Sequence, residues 1–318
     1  MGNQYKQLTL GERYQIEAWN SLSISAREIG KMLKRGNKSI SIELLRCPIG
    51  SYCAEQAHRH AFQKRKFAKK YTKCSQKHKD IIKPLLEIGW SPEQIAGRMK
   101  EENIENTISC STIYNLTKRE YWKTLLPRKG KIYKQRKGTE AGAKLIPNRI
   151  DISQRPSIVD ENAEFGHWEG DTVYGQNGYL VTMVERVSKL LVTCKVRSKS
   201  KKAVTRGINR MMKPFKGLCK TITFDNGGEF AGHAKIAKHL NCDIYFAKPY
   251  HSWQRGLNEN TNGLLRRFFP KGMAIGELAA KEVKQAEFLI NSRPRKALNF
   301  LSPSEFLNGK RVSVIVTI

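Results

Sequence analysis

The stretch Thr221-Ile-Thr-Phe-Asp225-Asn-Gly-Gly-Glu-Phe230 decides the fold class. Its apolar positions, Ile222 and Phe224, predict a short buried strand, and Asn226, Gly227 and Gly228 form a turn signal directly behind it. Asp225 therefore stands at a strand end, where α/β sheets expose the carboxylates that meet ligands. Two further carboxylates have comparable settings. Asp171 lies in Gly166-His-Trp-Glu-Gly-Asp171-Thr-Val173, and Glu259 in Arg255-Gly-Leu-Asn-Glu259-Asn-Thr-Asn-Gly-Leu-Leu-Arg-Arg267, with 33 residues between Asp225 and Glu259. One such residue alone would be a turn, a helix cap or a solvated helix face. Together the three read as a metal-binding site for phosphoryl transfer.

Phosphodiesters resist attack because the phosphate is anionic and the alkoxide is a poor leaving group. Two divalent ions about 3.5 to 4 Å apart neutralise the attacking and leaving oxygens without a covalent intermediate. Mg²⁺ takes hard oxygen ligands and keeps part of its water shell, so three carboxylates form a plausible set, and Mn²⁺ could substitute. Without cations, the three would repel one another and raise their own pKa values. Outward from Asp225, apolar strands and helices alternate as in a mixed α/β sheet: strands at Val173, from Tyr179 to Val184 and from Leu190 to Val196, a helix over 201–212, another near 231–240, a strand from Cys242 to Phe246, a helix carrying Glu259, and a last helix near 277–290. Strand alternation places Trp168 and Gly170 opposite Glu169 and Asp171, so Trp168 reads as core, and Glu169 is the best candidate for a fourth carboxylate.

The segment Gly166 to Thr172, the run Phe224-Asp-Asn-Gly-Gly-Glu-Phe230, the stretch Tyr250-His-Ser-Trp-Gln-Arg-Gly-Leu-Asn-Glu-Asn-Thr-Asn-Gly263 and Asn291-Ser-Arg-Pro-Arg-Lys-Ala-Leu298 resemble the insertion sequence thirty family of bacterial DDE transposases. The likeness spans nearly the whole chain. It implies a ribonuclease H-like catalytic core shared with retroviral integrases, with Asp171, Asp225 and Glu259 as the metal-binding triad. It also implies binding to the terminal inverted repeats of an element and to target DNA, metal-dependent strand cleavage and strand transfer, a homo-oligomer, and action at the nucleoid of a bacterial cytoplasm. A non-catalytic DNA-binding regulator, or an inactive relic of an element, is the rival reading.

Composition agrees with a polyanionic partner. The formal charge is +30 over 318 residues, and a DNA duplex offers one negative charge per roughly 1.7 Å of axis. Charge alone leaves ribosomal or acidic-membrane association open. No apolar run approaches the ~18 residues of a membrane span, and the first residues show no signal-peptide pattern. Gly2 invites a myristoylation reading, but Lys6 stands where that motif needs Ser or Thr. Seven scattered cysteines suit a reducing compartment, and Cys47, Cys53, His58 and His60 lack the spacing of paired zinc knuckles. There is no Gly-x-x-x-x-Gly-Lys-Ser/Thr loop, in line with chemistry that needs no nucleotide triphosphate.

The amino-terminal part opens with helix starts. Thr9 to Glu12 and Ser25 to Glu28 fit the capping box, and Ala26, Ile29 and Leu33 followed by Ile40, Leu44 and Leu45 suggest a helix-turn-helix over residues 1–50. Its candidate DNA contacts are Arg35, Lys38, Ser39, Ser41 and Arg46. The family's commoner Thr-Ile-Ser-Arg-Glu-Ile reads Ser39-Ile-Ser-Ile-Glu-Leu-Leu45 here, so base preference does not carry over. Residues 51–73 are expected to be a basic helical linker, because 59–79 contain nine Lys or Arg and no acid. A second helix-turn-helix-like module is expected over 74–120, with a capping box at Ser91-Pro92-Glu93-Gln94 and with Thr112 and Tyr114 as candidate contacts. A basic linker over 121–157 then leads to an integrase-type catalytic domain at 158–318, where Arg255, Arg266 and Arg267 are further candidate DNA contacts.

Overall fold

In the computed structural model the described residues are 7–48, 50–68, 74–127, 129, 146–249 and 251–312, without the side chains of Ser252 and Trp253. The readings at Gly2 and Lys6, most of the basic run from Lys123 to Lys137, and Trp253 lie outside that description. Contacts divide the chain into two units, Met1–Thr72 and Lys73–Ile318.

The first unit consists of α1 (Leu10–Ser21), α2 (Ala26–Met32), α3 (Asn37–Leu44) and α4 (Ala54–Phe67). Both expected capping boxes form: the Thr9 and Ser25 hydroxyls accept from the amides of Glu12 and Glu28, whose carboxylates accept from the cap amides. Ile16, Ile29, Ile40 and Ala57 close a small core. At its centre Arg13, 1% exposed, donates to the Glu43 carboxylate at 2.6 Å and to the Leu8 carbonyl. The fourth helix corrects the expected linker at 51–73. Its charges are confined to part of the surface, while Ala54, Ala57 and Ala61 form a narrow face that is buried and packs on α1. Sequence charge density concealed that alanine stripe.

The second unit begins with α5 (Gln76–Glu87), α6 (Pro92–Glu101) and α7 (Cys110–Arg119), packed around Ile82, Leu86, Trp90, Ile95, Met99, Ile113 and Leu116. The Ser91 capping box forms, with proline at the first helical position. Helix α5 went unread because its start belongs to the basic run and Pro84 lies inside it. The expected linker at 121–157 is also not purely a linker. Trp122 and Leu125 pack on the three helices, and β1 (Ile150–Asp151) joins the edge of a β-sheet.

From there the chain adds α8 (Ile158–Glu161), β2 (His167–Tyr174), β3 (Tyr179–Glu185), β4 (Leu191–Val196), α9 (Lys201–Met211), β5 (Thr221–Phe224), α10 (His233–Leu240), β6 (Asp243–Phe246), α11 (Gly256–Phe268), α12 (Ala280–Asn291) and α13 (Pro303–Asn308). The six strands form one mixed sheet in the order β1-β6-β5-β2-β3-β4, antiparallel between β2, β3 and β4 and parallel elsewhere. Trp168, Met183, Phe224 and Phe246 pack with α9 and α10 on one face. Val173, Leu180, Val184 and Leu191 pack with Leu265 of α11 and Val283 and Ile290 of α12 on the other. The strand β2 alternates as its sequence predicts, with Trp168 fully buried. Gly170 is required on the same face, since a Cβ there would lie 2.2 Å from the Phe224 ring. Among the described residues no helix is long and apolar enough to cross a membrane, and all seven cysteines are free.

Candidate active site

Strand pairing brings the two aspartates together. Glu169 pairs with Thr223 in the parallel β2–β5 ladder, and two residues further on each chain are Asp171 and Asp225. Asp171 Oδ1 accepts from the Thr172 amide at 2.7 Å, and its Oδ2 accepts from Asn262 Nδ2 of α11 at 2.8 Å. Asp225 Oδ1 accepts from the Gly227 amide at 3.0 Å, closing the turn that the Asn-Gly-Gly sequence announces. Thr182, opposite Asp171 in the β2–β3 register, donates to Asn262 Oδ1 at 3.1 Å and so fixes the amide that orients Asp171.

A guanidinium stands between the carboxylates. Arg255 lies 3.3 Å from Asp225 Oδ2 and 3.8 Å from Asp171 Oδ2, and it donates to the Gly170 carbonyl at 3.1 Å. Arg255, a candidate DNA contact, thus directs its donors toward the two aspartates and a backbone carbonyl. Burial pushes the Asp171 carboxyl up to about 6; Arg255 opposes this, and the neighbouring charges of Asp225 and Glu229 reinforce it. Burial is thus the main cause of the raised Asp171 pKa, and carboxylate repulsion a lesser one.

Glu229 closes the same Asp-Asn-Gly-Gly-Glu motif, four residues after Asp225. It is 6% exposed, accepts from Thr172 Oγ1 at 2.8 Å and pairs with Lys199 at 3.0 Å. Burial presses the Lys199 ammonium down, but the Glu229 hydrogen bond prevails and its pKa is raised. The signal was the paired glycine: a Cβ at Gly227 would lie 2.5 Å from Glu229 Oε2 and 2.9 Å from Asp225 Oδ1, so a residue without a side chain is needed for Glu229 to fold back beside Asp225.

Glu259 is not drawn in with the aspartates. It lies exposed in the first turn of α11, and among the described residues no three Asp, Glu, His or Cys side chains stand close enough to hold one metal ion. Arg255 already balances the aspartates, and a third carboxylate beside them would add repulsion. Arg255, Glu259, Asn262 and Arg266 nevertheless follow one helical stripe, so Glu259 stands between two residues that border the site. Glu169 is fully engaged elsewhere: it accepts from Arg186 at 2.5 Å and from the Asn258 amide at 3.0 Å.

The remaining candidate contacts separate by environment. Arg35 pairs with Glu12 at 2.8 Å and Arg46 with Glu43 at 2.7 Å, Ser41 donates to the Asn37 carbonyl, and Lys38 is exposed. Ser39 is half-buried on α3, and Ile42, the departure from the family pattern, is 52% exposed. On α7, Thr112 hydrogen-bonds Ser109 at the helix start and Tyr114 is 44% exposed. Arg266 stacks over the Tyr174 ring at 5.1 Å, and Arg267 donates to the Gly89 carbonyl at 2.5 Å, inside the second unit.

An integrase core domain family model matches residues 161–252, a span that includes Asp171 and Asp225. The transposase for insertion sequence element IS4351 of Bacteroides fragilis is 39% identical over 311 residues, covering 94% of this chain and 95% of that protein. Transposase InsI for insertion sequence element IS30A of Escherichia coli K12 is 32% identical over 322 residues, covering 94% of this chain and 83% of that protein. Among solved structures, the catalytic core domain of BIV integrase aligns at 17% identity and a TM-score of 0.36, over 45% of this chain and 95% of that one.

Proposed function

The chain belongs to the insertion sequence thirty family of transposases, and from that premise we propose that it binds the terminal inverted repeats of its element and cuts and joins DNA strands at a site formed by Asp171, Asp225 and Glu259. The observation that carries this reading is that Asp171 and Asp225, each two residues beyond the last pair of the β2–β5 ladder, flank one guanidinium, with the Asp171 carboxyl raised to about 6. A pair of hard oxygen donors that keeps a cation between them is suited to divalent metal. Asp171, Asp225 and Glu259 would hold two Mg²⁺ ions, with Mn²⁺ as a substitute. When bound, such ions neutralise the attacking and leaving oxygens of a phosphodiester.

The protein's own residues prepare that reaction. Asn262 and Thr182 fix the Asp171 carboxylate, the Gly227 turn fixes Asp225, and Glu259 is exposed on the stripe that borders both. Lys199 and Arg255 supply positive charge where an anionic phosphate must approach. Water first frees a 3′ hydroxyl, which then attacks a second phosphodiester; because one ester is exchanged for another, no nucleotide triphosphate is consumed. The amino-terminal helices read the repeat, a multimer holds the paired ends, and the protein works at the nucleoid in the cytoplasm.

The test is strand cleavage and joining on a labelled DNA end carrying the element's inverted repeat, in Mg²⁺ and in EDTA, for the wild type and Glu259→Gln. Joining should require the metal and fall by about a thousandfold or more in the variant, with end binding unchanged. Tight binding without cleavage in either protein would favour a regulator, and full activity in Glu259→Gln would remove Glu259 from the site.

A further inference from the structure

We propose that the cavity between the amino end of α6 and the segment Arg293-Pro294-Arg295-Lys296 is a phosphate-binding site, which in the working protein holds a backbone phosphodiester of DNA. That occupant rests on the transposase reading; the anion site itself does not. The cavity measures ≈ 270 Å³, room for on the order of nine waters at about 30 Å³ each. Its cationic wall consists of Arg295, Lys296 and Lys189, and Asn260, Thr261 and Gln94 add neutral hydrogen-bonding groups. Its carboxylate is Glu93, which Lys296 neutralises at 3.0 Å.

The charge behind that wall is uncompensated. Arg293 is 2% exposed and donates one bond, at 2.9 Å, to Gln94 Oε1, while its Nε and Nη1 are buried without a partner. Arg295 donates to the Ile290 carbonyl at 3.1 Å, and its Nε is likewise buried and unpartnered. Neither guanidinium has an ion pair with a carboxylate among the described residues. Burial, with the like charges of Arg267 and Arg295, presses Arg293 down to about 9, which leaves it charged at neutral pH. A buried cation without a counter-ion is costly, and a guanidinium does not escape the cost by losing its proton.

Gln94 builds the site. Its Oε1 accepts from the Ser91 amide and from Arg293, and its Nε2 donates to the Pro294 carbonyl at 2.8 Å, tying the helix start to the arginine segment. The ten-residue helix α6 directs the positive end of its dipole at the same cavity. A forked donor, an ammonium and a helix amino terminus converging on one polar cavity match the oxygens of a phosphate.

The test is thermal unfolding of the full chain in inorganic phosphate against chloride at matched ionic strength, for the wild type, Arg295→Gln and Arg293→Gln. Phosphate should raise the wild-type midpoint beyond chloride, with apparent affinity falling roughly tenfold in Arg295→Gln. Arg295→Gln is the decisive variant if Arg293→Gln fails to fold. Equal midpoints in the two salts, or an undiminished phosphate effect in Arg295→Gln, would overturn the site. A second arm scans a duplex with single phosphates replaced by neutral methylphosphonates. One position should weaken wild-type binding and leave Arg295→Gln unaffected; no such position, with the phosphate effect intact, would overturn DNA as the occupant. The salt arm reads no strand cleavage, so the anion site and the transposase chemistry fail independently.

Discussion

Helix α11 serves two charged centres of opposite sign. Through Asn262, and Arg255 just before its first turn, it borders Asp171 and Asp225; through Arg267 it belongs to the group of Arg293 and Arg295. The acidic centre carries its own cations, Arg255 and Lys199, placed where an incoming positive ion or the surroundings of a phosphate would be needed. Among the described residues no carboxylate pairs with Arg267, Arg293 or Arg295, and the Glu93 carboxylate in their cavity is taken by Lys296. A third buried arginine in the same unit shows what full compensation looks like. Arg98, 0% exposed, donates to Glu102, to both oxygens of Glu305 and to the carbonyls of Phe300 and Val312. Burial pushes Glu305 up, but Arg98 and the Ser302 and Val312 amides overcome it and hold the carboxyl down to about 2. Arg98 is satisfied by the fold and locks α6 to α13, whereas Arg293 awaits something the fold does not provide.

That contrast gives the largest expected effect. Arg98→Met would leave Glu305 and Glu102 buried without their cation and should cost about 3–5 kcal/mol of stability in urea unfolding. Arg293→Met removes a charge that has no counter-ion, and Gln94 Oε1 keeps the Ser91 amide. Its stability should change little or rise. Equal losses in the two variants would erase the distinction between a structural and a ligand-seeking arginine.

Much of the fold was legible because its signals are local. The β2 to β6 strands, α9 and α10 follow from apolar runs and turn residues, and the caps at Thr9, Ser25 and Ser91 from pairs three residues apart. Helix α4 is expected as a basic helix, but its packed face was hidden because three alanines bury a face that nine charges in the overlapping run made invisible, and β1 was hidden because two residues give no periodicity. At the site, the strand-end reading holds for Asp225, directly behind β5, whereas Asp171 lies inside β2. The role of Arg255 between them, the return of Glu229 and the separate position of Glu259 depend on side-chain directions in space, which spacing along the chain does not encode. The arginine segment was legible only as part of a family pattern, since exposure and the lack of a counter-ion are tertiary facts.

The acidic centre predicts a pH-dependent effect of intermediate size. Folding raises the Asp171 pKa from 3.8 to about 6, so between those values the native state holds a proton that the unfolded state has released. Stability from this group is therefore intact below about pH 4, declines as pH rises through 6, and stays reduced above it. With metal removed by EDTA, Asp171→Asn should match the wild type at pH 4 and exceed it at pH 7.5, by on the order of 2 kcal/mol for a side chain 24% exposed. Melting curves that remain parallel across this range would show that Asp171 is not the strained member.

The smallest effect concerns the cation between the aspartates, and its sign is informative. If Arg255 serves as a resident counter-ion, it competes with metal for Asp171 and Asp225. Arg255→Gln should then bind Mn²⁺ a few-fold more tightly by calorimetry, a gain of ~1 kcal/mol or less given an ion pair at 3.3 Å near solvent. If Arg255 mainly orients the carboxylates through its bond to the Gly170 carbonyl, the same change would weaken Mn²⁺ binding. The first outcome makes the two centres true opposites, one self-compensated until its ion arrives and one never compensated from within. The second would assign Arg255 the same structural office as Arg98, and the comparison would then rest on the basic centre alone.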